Sequence, residues 1–358
     1  MDLKCAMLEC RLLNVGLAET MKIGISVRRF GPFGGMEKVA FGFVGWLAKH
    51  GHHVDVWTDD FEAVGPTVRH RPLGAGGRGV LWKAQNLARA VRRIPTEDCD
   101  VFLHFERGGE GGPYRAGAGC HASLRKRCGG GWAGPFLEAI DRKTCRSARP
   151  LIVNSQLVSD EMQDFYGVDS RSIRLVRNGV DTQRFCPSDR FEQPTVVFVG
   201  SDARRKGLWT AIHAIALLDQ VQLYVLGQVT AMAKWWAHVA GVTERVHFLG
   251  WTERPEDIVG RAHAMALPTH YDASANATLE ALASGVPVVT TRANGASEVL
   301  PVPWLVLDDP RDVEGCAEVL LRAMNDSTLP DACRSVAESY DVESSYSALL
   351  QAILEDPC

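Results

Sequence analysis

Residues 268–289 read Pro-Thr-His-Tyr-Asp-Ala-Ser-Ala-Asn-Ala-Thr-Leu-Glu-Ala-Leu-Ala-Ser-Gly-Val-Pro-Val-Val, a loop of small residues running into a helix. Two acids stand in it, Asp272 and Glu280, with seven residues between them. A helix opening near Ala275 leaves its first N–H groups without intrahelical partners, and its dipole favours negative charge there. The N–H groups of Ala275, Asn276 and Ala277 therefore suit the oxygens of a phosphate. Glu280, further along the helix, suits the paired hydroxyls of a ribose, and Asp272 faces the same ligand from the loop.

A second group is Ser201-Asp202-Ala203-Arg204-Arg205-Lys206-Gly207, between an apolar strand and a helix that starts near Leu208. Consecutive cations at a strand-to-helix loop are point charges and planar forks aimed where such loops hold ligands, and a diphosphate is their natural partner. The same string as a mere solvated charge run is the plainer alternative. A third loop, Arg28-Arg29-Phe30-Gly31-Pro32-Phe33-Gly34-Gly35, precedes a helix at Met36. Gly34 and Gly35 let the backbone approach a substrate closely. This loop is neither the Gly-x-Gly-x-x-Gly fingerprint nor a Walker A loop, which disfavours a dinucleotide oxidoreductase.

Two histidine features carry less. His121 closes the stretch Tyr114-Arg115-Ala116-Gly117-Ala118-Gly119-Cys120-His121 and is a candidate polar group for proton transfer, although a lone histidine is more often structural. His50-Gly51-His52-His53 reads as a helix-capping glycine followed by a strand rather than a metal site. The ten cysteines contain no Cys-x-x-Cys pair, so they read as thiols used as small hydrophobes, and no metal is expected.

These loops need a scaffold that brings strand ends together. Apolar runs of strand length (23–27, 54–57, 101–105, 151–153, then 196–200, 222–226, 246–249, 264–267 and 286–290) alternate with helical patterns. Near-continuous apolar strands alternating with helices indicate buried parallel sheets of the βαβ type. At ~150 residues per domain, 358 residues make about two domains. A break falls at the Asn178-Gly179 turn signal. The expected fold is α/β: two doubly wound, Rossmann-like parallel-sheet domains facing across a cleft. Their expected extents are 21–176 and 177–340, with 341–358 a C-terminal helix returning to the first domain. Residues 1–20 are expected to form a poorly ordered extension, since Glu9 and Arg11 interrupt any signal-peptide core.

Composition is ordinary for a globular chain, 46% hydrophobic and 23% charged, with a net charge of −4 that gives no case for nucleic-acid binding. That charge is unevenly divided. Residues 21–176 carry 23 Lys and Arg against 16 Asp and Glu, and residues 177–358 carry 14 against 24. The basic half is a solvated face or a surface for an anionic acceptor or an anionic leaflet. The longest uncharged apolar stretch, Leu208–Leu218, is well short of the ~20 residues that a bilayer span needs.

Taken together, the acid-x7-Glu string, the Arg-Lys-Gly loop, the Asn178-Gly179-Val180-Asp181 linker and the Gly34-Gly35 loop resemble glycosyltransferase family 4, a retaining GT-B family, in the same order over nearly all of residues 21–350. The strings FGPFGG, VGSDARRKGL and YDASANATLEALASGVPVVTT are most similar to its lipopolysaccharide core glucosyltransferase I-like branch.

The resemblance implies that Arg205 and Lys206 contact the donor diphosphate, Glu280 the ribose, and Asp272 the donor sugar. The family's usual glutamate is one methylene longer than Asp272. Gly34, Gly35, Ser201, Ala275, Asn276 and Ala277 complete the implied donor-binding set, and His121, Asp272, Arg205 and Lys206 the catalytic one. An aspartate usual in the Tyr-Arg-Ala-Gly-Asp-Gly-x-His stretch is Ala118 here, which leaves His121 to act alone or the chain impaired.

The implied function is retaining transfer of a sugar from a nucleotide-diphospho-sugar, UDP-linked by preference, to an anionic glycolipid or saccharide. This would occur on the cytoplasmic face of the membrane, without metal or other cofactor. A sugar-nucleotide epimerase of similar architecture and a nucleotide-sugar-binding protein without turnover are the alternatives.

Overall fold

The computed structural model describes residues 20–76 and 79–355, so most of the extension expected at 1–20 lies outside the described residues. Seven strands form the first sheet: β1 (Lys22–Ser26), β2 (His53–Thr58), β3 (Val68–Pro72), β4 (Val101–His104), β5 (Tyr114–Arg115), β6 (Leu151–Val153) and β7 (Ile173–Leu175). They lie in the order β3-β2-β1-β4-β5-β6-β7, every pairing parallel. The second sheet has six: β8 (Thr195–Val199), β9 (Gln222–Leu226), β10 (Val246–Gly250), β11 (Ala264–Leu267), β12 (Val288–Thr291) and β13 (Val306–Leu307). Their order is β10-β9-β8-β11-β12-β13, again all parallel. Each sheet thus runs outward in both directions from its first strand, which puts a switch point between β1 and β4 and another between β8 and β11. Ligands of open α/β sheets bind outside the carboxyl ends of the strands at such points.

Helices cover the faces: α1 (Met36–Lys49), α2 (Val80–Arg92), α3 (His121–Cys128), α4 (Gly134–Ser147), α5 (Gln156–Tyr166), α6 (Leu208–Ala216), α7 (Ala231–Val239), α8 (Asn276–Ala283), α9 (Val313–Asn325), α10 (Leu329–Glu338) and α11 (Val342–Leu354). Central strands are buried on both faces because helices lie on both, which is why their sequences read as apolar runs. The outermost strand β3 buries Val68 alone, and ends at Pro72, a residue that an edge tolerates.

Two cores result. One gathers Ile23, Ile25, Phe43, Leu47, Leu103 and Ile152; the other gathers Val197, Phe198, Ile212, Met265 and Leu282. Leu349, Leu350 and Ile353 of α11 belong to the first core, so the chain crosses between the sheets twice. The crossings lie side by side: Val180 N–H donates to the Tyr340 carbonyl at 2.9 Å, and Ser345 Oγ to the Arg177 carbonyl at 2.7 Å. Asp341 caps α11 by accepting from Ser344 N–H at 3.0 Å, which fixes the helix start beside the crossing. No helix among the described residues is long and apolar enough to cross a membrane. All seven described cysteines that can be assigned are free thiols.

Candidate functional site

A cleft of about 1050 Å³ lies between the two sheets, bounded by the loops that follow β1, β5, β8 and β11. The β8–α6 loop carries Ser201, Arg205 and Lys206, and the β11–α8 loop carries Asp272; all four line the cleft. Gly207 lets these two loops touch. Its φ is +81°, and a Cβ there would meet the Pro268 carbonyl. Arg204, the third cation of the string, is exposed and does not line the cleft.

The loops meet in one ion cluster. Asp272 accepts from Lys206 Nζ at 2.6 Å and from Arg205 Nη1 at 3.0 Å. Burial would raise the Asp272 carboxyl, but the Lys206 and Arg205 charges outweigh it and hold it below the usual carboxylate range. Arg205 reaches further, to Asp202 Oδ2 at 3.3 Å and to the Tyr271 carbonyl at 2.7 Å. Burial opposes its charge, yet Asp272 and Asp202 keep it firmly protonated.

Helix α8 opens at the cleft, with Ala275, Asn276, Ala277 and Glu280 in the lining. The expectation of three free N–H groups there needs one correction. Ala275 N–H donates to Asn294 Oδ1 at 3.1 Å, because Asn294 is a fully buried splint that also holds Thr278 and Thr290. The Asn276 side chain is engaged too, accepting from Asn178 Nδ2 at 2.6 Å and donating to the Gly35 carbonyl at 3.2 Å. Glu280 sits one turn inside α8 and pairs with Lys38 of α1 across the cleft.

From the first sheet, Gly34 and Gly35 line the cleft, Gly34 with φ +79°. Arg115, at the end of β5, also lines it and is 2% exposed. Its guanidinium bonds the Asn178 amide oxygen at 2.7 Å and the Val176 carbonyl at 3.4 Å rather than a carboxylate, and burial pushes its pKa down to about 10.

Ala118 lines the cleft, whereas His121 does not. His121, expected among the catalytic residues, therefore stands outside the lining of the cleft. Its N–H is tied to Asp141 Oδ2 at 2.9 Å, and Asp141 is anchored by Arg107 at 2.6 Å and Tyr166 at 2.8 Å, so the residue is drawn toward α4. Burial and the Arg107 charge lower the His121 pKa, and its Nε2 is buried without a hydrogen-bond partner.

Four site features had no local signal in the sequence. They are Lys38 opposite Glu280, the Arg115–Asn178 pair, the Asn294 splint, and Tyr271, a residue 1% exposed whose hydroxyl bonds Cys120 and Glu161 of the first half. Among the described residues, no group of three or more His, Cys, Asp or Glu has the arrangement to hold a metal ion.

Two doubly wound parallel sheets, ordered 3-2-1-4-5-6-7 and 3-2-1-4-5-6 and facing across a cleft, are the arrangement of the GT-B class of glycosyltransferases. Sequence comparison agrees. The pattern described as Glycosyltransferase Family 4 matches residues 33–184, and that described as Glycosyl transferases group 1 matches residues 193–326. The chain thus carries a Glycosyltransferase Family 4 domain followed by a Glycosyl transferases group 1 domain.

It is 24% identical over 372 residues to the lipopolysaccharide glucosyltransferase WaaG of Escherichia coli strain K12, covering 91% of this chain and 96% of that protein. It is 29% identical over 213 residues to glycogen synthase of Mycobacterium tuberculosis strain H37Rv, covering 55% of this chain and 51% of that protein, so the chain spans about half the length of that relative. The crystal structure of WaaG has the same fold, with a TM-score of 0.79 at 22% identity over 92% of this chain and 99% of that one. So does Anabaena Alr3699/HepE in complex with UDP-glucose, with a TM-score of 0.70 at 16% identity over 93% and 99%.

Proposed function

We propose that the protein transfers a hexose from a UDP-sugar to a hydroxyl of an anionic glycolipid or saccharide, with retention at the anomeric carbon, in building lipopolysaccharide core or a related cell-surface glycan. The observation that carries this reading is the cluster of Asp272, Arg205 and Lys206 beside the α8 N-terminus and Glu280. The diphosphate lies on Arg205, Lys206 and the Asn276 and Ala277 N–H groups, the ribose on Glu280, and the sugar beside Asp272. The related structures support the donor and acceptor classes: one is a complex with UDP-glucose, and another is a glycosyltransferase involved in lipopolysaccharide biosynthesis.

Chemistry follows from where charge develops. Departure of the diphosphate leaves an oxocarbenium-like sugar, and the preorganised cations stabilise the leaving group, usually the largest single term. The acceptor hydroxyl attacks from the face the diphosphate leaves, and its proton passes to the departing phosphate oxygen. Arg205 and Lys206 take the place a divalent ion would otherwise fill, so activity persists in chelator.

The acceptor side is the basic half. Trp132, 80% exposed, the exposed Trp82, and Arg125, Lys126 and Arg127 of α3 all belong to that half, whose surface suits peripheral contact with the anionic inner leaflet from the cytoplasm. Binding to anionic vesicles that fades between low and physiological salt checks this contact, and equal binding to neutral vesicles contradicts it.

The observation favouring a turnover-free binding protein is Ala118 in the cleft lining. Release of UDP from UDP-glucose, with and without a truncated lipopolysaccharide acceptor, separates the readings. Acceptor-dependent release is transfer, acceptor-independent consumption is epimerase-like, and tight binding without release is the impaired form.

A further inference from the structure

Five cationic side chains line the cleft: Lys38, Arg115, Arg184, Arg205 and Lys206. Four of them are committed. Arg205 and Lys206 share Asp272, and Arg205 also pairs with Asp202, so two positive charges already face two negative ones. Arg184 is held by Glu256 at 2.9 Å and by the Glu253 carbonyl at 2.7 Å. Arg115 is buried at the crossing point on Asn178 and Val176. A diphosphate entering this cleft therefore meets a cluster whose net charge is close to zero.

Lys38 is the remaining cation. It pairs with Glu280, its ammonium lies 5.3 Å from the Phe185 ring centroid, and its side chain is 36% exposed against 12% for Glu280. The carboxylate is the fixed partner, and the lysine, on a flexible four-carbon stem with three donors, is the movable one. Glu280 and Asn276 are four residues apart on α8, about 6 Å along its axis, so a small swing carries the ammonium from the carboxylate to the helix N-terminus.

We propose that Lys38 is a donor-binding residue supplied by the first sheet, exchanging Glu280 for the donor diphosphate when the ribose hydroxyls take Glu280. This rests on the reading of α8 as the donor site. The ion pair satisfies Glu280 while the cleft is empty, and the exchange supplies the diphosphate with a positive charge from the opposite wall. Donor binding then draws on both halves of the cleft.

Calorimetry with UDP, and ligand-observed NMR with uridine, tests this on wild type, Lys38→Met and Lys38→Arg. Loss of one charged hydrogen bond predicts that Lys38→Met binds UDP about 10-fold or more weakly, while uridine, which has no phosphate, changes less than about twofold. Lys38→Arg keeps the charge and retains UDP affinity within about threefold. Lys38→Met that binds UDP like wild type, or that loses UDP and uridine affinity equally, overturns the exchange. Wild type that binds no UDP overturns the donor reading itself, and the exchange with it.

Discussion

The hydroxyl of Tyr271 accepts the Cys120 N–H at 2.8 Å and donates to Glu161 Oε2 at 2.8 Å, joining the β11–α8 loop to the β5–α3 loop across the cleft. At its other end the Tyr271 carbonyl is held by Arg205, and Asp272 is the next residue. Gly119 makes room for this contact: with φ +78°, it lacks the Cβ that would strike the Tyr271 hydroxyl. Glu161 is itself buried, and Ser123 Oγ donates to its second oxygen at 2.5 Å. One aromatic side chain thus sets the Ala118 loop against the Asp272 loop.

Tyr271→Phe leaves the Cys120 N–H and one Glu161 oxygen short of a partner in a buried place, a loss of about 1–3 kcal/mol. The expected outcome is a lower thermal midpoint and a reduced kcat, with UDP affinity within about threefold of wild type because the Phe ring still fills the space. A variant as stable and as active as wild type shows that the hydroxyl sets nothing.

Stability carries a second signature, at β1 and β4. His104 is buried, shares a hydrogen bond with Ser26 Oγ at 2.9 Å, and burial pushes its pKa down to about 4. A histidine whose folded pKa lies below its unfolded value of about 6.5 stays neutral in the fold while the unfolded chain takes up a proton. Stability from this residue is therefore full above pH 6.5 and falls as pH drops toward 4, by up to about 3 kcal/mol. Thermal midpoints of wild type and His104→Asn at pH 7.5 and 5 should differ in slope, wild type losing more. Parallel losses would assign the acid sensitivity elsewhere.

On the acceptor side, geometry separates two neighbours. Ala118 lines the cleft and His121 does not, so His121→Ala should lower transfer less than about threefold, whereas Ala118→Asp places a carboxylate beside the attacking hydroxyl. General-base help is worth about 10²–10⁴-fold at most, and less here, where the leaving phosphate takes the proton. The expected result is a rise in kcat for Ala118→Asp with donor affinity unchanged. A dead His121→Ala beside an inert Ala118→Asp would return the proton transfer to the histidine.

How much of this was legible in the sequence follows from burial and from separation along the chain. Strands β1, β8, β9 and β11 read as apolar runs because both faces are covered, and all four have limits within one residue of those expected. Strand β3, with Arg69, His70 and Arg71 exposed, and the two-residue β5 gave no such run. Helices α2 and α4 put three Arg or Lys residues apiece among their apolar positions, and neither stood out as a helical pattern. The donor-side residues fall within two short strings, so local spacing exposed Arg205, Lys206, Asp272 and Glu280 together. Lys38 and Glu280 are 242 residues apart, and Glu161 and Tyr271 are 110 apart. No pattern of local spacing contains such pairs; the two crossings of the chain between sheets create them.

The central claim, a nucleotide-diphospho-sugar held by Asp272, Arg205, Lys206 and Glu280, is tested most directly by calorimetric titration of UDP-glucose into wild type, Glu280→Gln and Lys206→Ala. Each variant removes one charged hydrogen bond to the ligand, and the account predicts a loss of about 1–3 kcal/mol in binding free energy for each. Unchanged affinity in both variants would contradict it.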